Sequence, residues 1–190
     1  MILEKEELFQ NKYRIKSHRY EGWNYADEGC YFITICTEDR VCYFGKIENK
    51  KMQLSPIGEI AVKCWLEIPK HFPFAILDLF VVMPNHIHGI LQIIQNIEMQ
   101  NMQNANVETQ NFASLRVEYK NKFGPQSKNL SSIIRGFKIG VKKYSTINNI
   151  DFFWQPRFYD RIIRNERELN NIRNYIYNNP LKWEFDRNNS

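Results

Sequence analysis

Hydrophobic and polar positions alternate in short blocks along this chain, and the period of the alternation changes from block to block. Cys30-Tyr31-Phe32-Ile33-Thr34-Ile35-Cys36-Thr37 is dense in β-forming residues and predicts a first strand. Cys42-Tyr43-Phe44-Gly45 and Lys51-Met52-Gln53-Leu54 fit a short hairpin across the polar tract between them. Ser55-Pro56 has the form of a helix start, with a hydroxyl N-cap followed by proline at the first helical position. Ile57, Ile60, Ala61, Cys64 and Ile68 keep helical spacing up to Pro69. Ala75 to Val82 is an apolar run broken only by Asp78 and reads as a buried strand. Met83-Pro84-Asn85 turns the chain, and His86 to Ile94 alternates as an adjacent strand. Asn129-Leu130-Ser131-Ser132 opens a second helix through about Tyr144, with Ile133, Phe137 and Val141 on one stripe. Phe152 to Ile163 is aromatic and β-prone, and a last helix runs from about Glu166 to Asn178, stopped by Pro180.

The resulting order is strand, hairpin, helix, strand, strand, helix, strand, helix. It predicts an α+β fold, a ferredoxin-like two-layer sandwich whose central, mostly antiparallel sheet carries its helices on one face. No internal repeat is evident. Residues 1–29 are polar with scattered aromatics and read as a lead-in segment. Residues 95–111 hold nine Asn or Gln in 17 positions and no Gly or Pro, the composition of a low-complexity loop insertion.

Composition narrows the class. A chain of 190 residues that is 43% hydrophobic fits one domain, 1–190, with a proper core. No apolar run reaches the length of a membrane span, and the first residues have no apolar stretch of the signal-peptide kind. Cys30, Cys36, Cys42 and Cys64 lack CxxC spacing, so they read as reduced thiols in a cytoplasmic protein, with neither a zinc site nor a disulfide framework. The net charge of +5 is unevenly placed: residues 1–115 hold 11 basic and 14 acidic residues, a net −3, whereas residues 116–190 hold 15 and 7, a net +8. A basic last third is what a chain meeting a polyanion on one side would carry, and also what a plain solvated face would carry.

His86 and His88 flank Ile87 in a segment that reads as a strand. Side chains two apart on a strand share a face, so both imidazoles can reach one divalent ion, which then needs at least one further protein ligand. His18 and His71 lack this setting and read as ordinary residues. Val81-Val82-Met83-Pro84-Asn85-His86-Ile87-His88-Gly89-Ile90 resembles the His-hydrophobic-His (HUH) motif of the single-tyrosine transposases. Two later blocks resemble the same family: Ser131-Ser132-Ile133-Ile134-Arg135-Gly136-Phe137-Lys138 its central helix, and Phe153-Trp154-Gln155-Pro156-Arg157-Phe158-Tyr159-Asp160 with Arg173-Asn174-Tyr175-Ile176-Tyr177-Asn178-Asn179-Pro180 its C-terminal signature. The last pair points to the REP-associated tyrosine transposase branch, and the blocks span roughly residues 30–185.

There are ten tyrosines. On the last helix Leu169, Ile172 and Ile176 mark the buried stripe, Tyr175 lies beside it, and Asn179 follows one turn on. From the helix alone, Tyr175 fits a boundary aromatic and Asn179 a C-terminal cap. The resemblance implies more: Tyr175 as nucleophile, and Asn179 completing a metal site with His86 and His88. Tyr144 and Tyr159 are the fallback nucleophiles. Family chemistry implies a single HUH transposase domain that uses Mg²⁺ or Mn²⁺ and forms a 5′-phosphotyrosine link with a free 3′-hydroxyl. The implied partner is single-stranded or hairpin DNA, and the implied assembly a monomer or homodimer.

Arg135, Lys138, Lys142 and Lys143 lie toward the polar side of the central helix, and Arg157, Arg161, Arg164, Arg167 and Arg173 follow among aromatics. Arginine meets phosphate in a bidentate way and exposed aromatics stack unpaired bases, so Arg135, Lys138, Lys142, Arg157, Arg161 and Arg164 are the candidate DNA contacts. Most of Phe152 to Tyr159 is expected in the core, and residue types alone accommodate RNA as well as DNA. Competing readings are a domesticated DNA-binding protein without cleavage, an HUH replication initiator or relaxase, and a metal-dependent nuclease that uses water and forms no adduct.

Overall fold

The computed structural model describes residues 25, 27–94, 128–186 and 188–189. The expected lead-in segment, apart from its last residues, and the Asn/Gln-rich insertion at 95–111 lie outside the described residues. The elements are β1 (Gly29–Cys36), β2 (Gly45–Glu48), β3 (Lys51–Leu54), α1 (Pro56–Leu66), α2 (Ile68–His71), β4 (Ala75–Val82), β5 (His86–Ile93), α3 (Leu130–Ile147), β6 (Tyr159–Ile163) and α4 (Glu166–Asn178).

Most starts are set by local chemistry. Ser55 Oγ caps α1 by accepting from Gly58 N at 3.1 Å, and Pro56 opens the helix. Asn129 and Ser132 form a reciprocal capping box at α3. Asn165 caps α4 by accepting from Glu168 N. The small hairpin differs from expectation: its first strand is Gly45–Glu48, not Cys42–Gly45. Asn49 and Lys50 both take positive φ (50° and 61°), so the tight two-residue turn falls there and fixes the register. The last strand is also shorter than the aromatic run, because Arg157 adopts φ 65° and breaks the ladder between the Thr37–Trp154 bridge and Tyr159.

The main sheet has the order β4-β5-β1-β6, antiparallel throughout, which is the ferredoxin-like strand order. The α+β class is as expected. The placement of the helices on one face is not: the two faces are covered by different helices. Tyr31, Ile33, Ile35, Ile87 and Leu91 pack under Ile57, Ala61 and Trp65 of α1 and Ile133, Phe137 and Val141 of α3. Cys30, Phe32 and Ile90 face the other way and pack under Leu169, Ile172 and Ile176 of α4. The reason is legible in β1, which is apolar on both faces and needs cover on both. Among the described residues no helix is long and apolar enough to cross a membrane.

Candidate active site

Strand alternation puts His86 and His88 on the α4 side of β5, while Ile87 points into the α1/α3 core. In register, His88 pairs with Thr34 of β1, and Thr34 in turn with Tyr159 of β6. Both imidazoles are fully buried, with ring centroids 4.5 Å apart. Each is held at Nδ1: His88 by Thr34 Oγ1 at 2.9 Å, His86 by Asn85 Oδ1 at 2.8 Å. Phe32 stacks on His88 at 5.3 Å.

On α4, Ile176 turns into the apolar layer and its neighbour Tyr175 turns to the His pair. The Tyr175 hydroxyl lies 3.1 Å from His88 Nε2, and the phenol stays 43% exposed. A hydroxyl that is both hydrogen-bonded within the site and open to solvent can meet a large substrate. Two residues before Tyr175, Arg173 fixes α4 to β4. Its Nε and Nη2 donate to Asp78 Oδ1 and Oδ2 at 3.1 and 2.5 Å. Asp78, the one charge in the apolar run, sits where β4 bulges between Leu77 and Phe80. The ion pair holds the Arg173 guanidinium more firmly protonated than usual, chiefly through the hydrogen bonds to Asp78.

Asn179 follows α4 as its C-cap, is 3% exposed, and its Oδ1 has no hydrogen-bond partner among the described residues. A buried amide oxygen in that state suits a cation ligand. Asp186 was not among the residues singled out from sequence. The chain after Pro180 turns back, stacks Trp183 on His86 at 6.0 Å, and sets Asp186 Oδ2 4.0 Å from His86 Nε2. One donor atom each from His86, His88 and Asp186 falls within 4.8 Å of the others. Two imidazoles and a carboxylate form a donor set that fits a divalent metal, and the orphaned Asn179 amide oxygen at the C-terminal end of the helix that carries Tyr175 is a further candidate ligand.

The fallback tyrosines separate from this cluster. Tyr159 is on the same sheet face but beyond Thr34, two strands from His88, and Tyr144 belongs to α3 on the opposite side of the sheet. The candidate DNA contacts also divide. Arg135 is exposed on α3, across the sheet from the His pair. Lys138 and Lys142 turn to backbone: Lys138 Nζ donates to the Gln155 and Arg157 carbonyls at 2.7 and 2.5 Å, Lys142 Nζ to that of Phe152 at 2.5 Å. Together with Trp154 Nε1 donating to Lys138 O, these bonds tie the 152–157 segment to α3 and leave Arg157 exposed on its left-handed bend. Phe152, Trp154 and Phe158 pack into the core as expected, while Phe153 and Tyr159 are 45% and 48% exposed. Arg161 is on the His-pair face, beside Phe32, and is bonded to Glu168 at 2.6 Å. With Arg164 and Arg167 it lines an open polar groove of about 610 Å³. All four cysteines are free thiols, as expected, and burial pushes Cys30 up to about 12.

The site is thus an antiparallel α+β sheet with a His-X-His pair on an inner strand and a helix-borne tyrosine bonded to that pair. No family model matches the chain. It is 41% identical over 172 residues to an uncharacterised protein of Haemophilus influenzae, covering 90% of this chain and 91% of that one. It is 28% identical over 160 residues to a second Haemophilus influenzae protein, named "Putative REP-associated tyrosine transposase", covering 84% and 74%. Among solved structures, a REP-associated tyrosine transposase bound to a REP hairpin shares the fold, with a TM-score of 0.55, 18% identity, and coverage of 92% of this chain and 77% of that one. The chain therefore belongs with the uncharacterised Haemophilus influenzae protein, and it is similar in sequence to the protein named "Putative REP-associated tyrosine transposase" and in fold to a REP-associated tyrosine transposase.

Proposed function

We propose that this chain works as one HUH domain in the cytoplasm that cuts and rejoins single-stranded, hairpin-containing DNA through a covalent 5′-phosphotyrosine at Tyr175. The observation that carries the reading is the 3.1 Å contact between the Tyr175 hydroxyl and His88 Nε2 beside the buried His86. The relative bound to a REP hairpin supports hairpin DNA as the substrate class.

His86, His88, Asn179 and Asp186 would hold the divalent ion, Mg²⁺ or Mn²⁺. When bound, the ion neutralises charge on the non-bridging phosphate oxygens, which otherwise repel a nucleophile. The remaining work falls to the chain. Thr34 holds His88 at Nδ1 so that Nε2 faces the phenol oxygen, a contact that would give way to the ion when Nε2 ligates it, and Arg173, through Asp78, keeps the helix that carries Tyr175 in place. Tyr175 Oη attacks phosphorus and loses its proton; the bond to the 3′ oxygen breaks, and that oxygen leaves as a hydroxyl. Because the phosphotyrosine bond keeps the energy of the bond it replaced, a 3′-hydroxyl can later attack it, rejoin DNA and free the tyrosine. Arg157, Arg161 and Arg164 are the residues we assign to phosphate contact, Arg161 and Arg164 from the groove and Arg157 from its exposed bend, which Lys138 and Lys142 shape.

The test is a denaturing gel for protein–DNA adducts with labelled hairpin DNA carrying a single-stranded flank. Lanes hold Mg²⁺, Mn²⁺, EDTA and Tyr175→Phe. An adduct that vanishes with EDTA and with Tyr175→Phe is expected. Cleavage without an adduct would move the assignment to a water-using nuclease, and binding without cleavage to a domesticated DNA-binding protein.

A further inference from the structure

We propose that Asn85 is a positioning residue that fixes the tautomer of His86 and docks the C-terminal segment against it, so that metal binding and docking of that segment are one coupled event. The inference rests on the reading of His86 as a metal ligand. Asn85 is 1% exposed, and its amide is engaged at both ends. Its Nδ2 donates to the carbonyl of Arg40 at 3.0 Å and to that of Asn188 at 2.7 Å. Both carbonyls only accept, which fixes which end of the amide is nitrogen. Oδ1 therefore faces His86 Nδ1 at 2.8 Å, and since an amide oxygen cannot donate, Nδ1 must carry the proton. The neutral ring then presents Nε2 as a lone pair, the form a metal takes.

That lone pair looks toward Asp186 Oδ2 at 4.0 Å. A lone pair and a carboxylate are stable face to face across a cation or a proton, and not otherwise. The position of the carboxylate depends on the same asparagine. Asn188, whose carbonyl Asn85 holds, donates its N–H to Asp186 Oδ1 at 2.6 Å. Asp186 N donates in turn to Trp183 O at 3.0 Å, and the Trp183 ring stacks on His86. One side chain thus sets the ring that offers nitrogen and the backbone that brings oxygen. Linkage makes the consequence reciprocal: whatever the docked segment adds to metal affinity, the metal adds to docking.

The experiment has three readouts. A long-range ¹H–¹⁵N spectrum of the metal-free wild type, at a pH where the ring is neutral, should show His86 protonated on Nδ1; protonation on Nε2 overturns the proposal. Titration calorimetry with MnCl₂ should show binding about 10–100-fold weaker in Asn85→Ala than in the wild type, the usual effect of removing a ligand's hydrogen-bond partner. Equal affinity overturns it. In the wild type, Mn²⁺ should slow tryptic cleavage after Lys182 and EDTA should reverse this, a readout that needs no variant; cleavage indifferent to Mn²⁺ refutes the coupling. If the wild type binds no Mn²⁺, the metal reading itself fails and the coupling with it, while the tautomer spectrum still reports on Asn85.

Discussion

Gly89 follows His88 in the motif, yet its reason lies on the other side of the sheet. A Cβ placed there would sit 2.3 Å from Cζ2 and 2.7 Å from Cη2 of Trp65, inside any real contact distance. The indole cannot retreat easily, because Phe80 stacks on it at 5.7 Å and Phe137 meets it edge-on at 5.3 Å. Gly89→Ala is therefore an overpacking substitution in a fully buried site and should cost about 3 kcal/mol, the upper part of the usual range. For a chain of this length that is a fall in Tm of roughly 6–12 °C. Trp65→Phe removes the six-membered ring atoms that collide and should alone cost about 1–2 kcal/mol, a fraction of what losing the whole ring would. In the double variant the added methyl occupies space the indole vacated, so the combined loss should fall short of the sum by at least about 0.5 kcal/mol. Urea unfolding followed by circular dichroism measures all four corners of the cycle. A loss below about 0.5 kcal/mol for Gly89→Ala, a surface-like value, or strict additivity in the double variant, would refute this account of the packing. Since β5 must shift to admit the methyl, Mn²⁺ affinity of Gly89→Ala should drop as well.

Tyr175→Phe should remove the adduct while lowering stability by no more than about 1.5 kcal/mol, because it deletes one half-exposed hydrogen bond; thermal melts beside the gel separate chemistry from unfolding, and Tyr159→Phe should keep the adduct. Burial lowers Lys138 from 10.5 to about 8, so between those values the folded chain releases this proton before the unfolded chain does, and stability from this group rises with pH across that window. Lys138→Met should abolish that rise, read as the change in urea midpoint between pH 8 and pH 10. With its thiol pushed up to about 12 by burial, Cys30 should resist a thiol reagent at pH 8 until the protein unfolds, while exposed Cys42 reacts first; mass spectrometry of the labelled peptides gives the order.

How far the site could be read from sequence depends on which distances period can encode. The pairing of His86 with His88, and the offset of Tyr175 from the Leu169, Ile172, Ile176 stripe, are local periodicities, and both hold in the fold. The side of the sheet that α4 takes is not a matter of period. The sign was present in β1, where Cys30 and Phe32 are as apolar as Tyr31, Ile33 and Ile35, a pattern that demands cover on both faces. Asp186 had no such sign: it follows Pro180, where helical patterning ends, and becomes part of the site only because the chain returns over His86.

The return itself has a physical cause. Leu169, Ile172 and Ile176 cover Cys30, Phe32 and Ile90, but α4 ends at Asn178, two residues beyond Ile176. At that end of the sheet the apolar row gives way to Thr34, His86 and His88, all buried and all polar. Something must cover them and satisfy them, and an apolar residue could do only the first. The segment after Pro180 does both, Trp183 by stacking and Asp186 by charge. On this argument Asp186→Leu should be a worse substitution than Asp186→Asn for Mn²⁺ binding at equal fold stability, since leucine keeps the cover and removes every donor. Equal affinity of the two variants, measured by calorimetry, would mean the segment serves the site as a lid of apolar surface and nothing more.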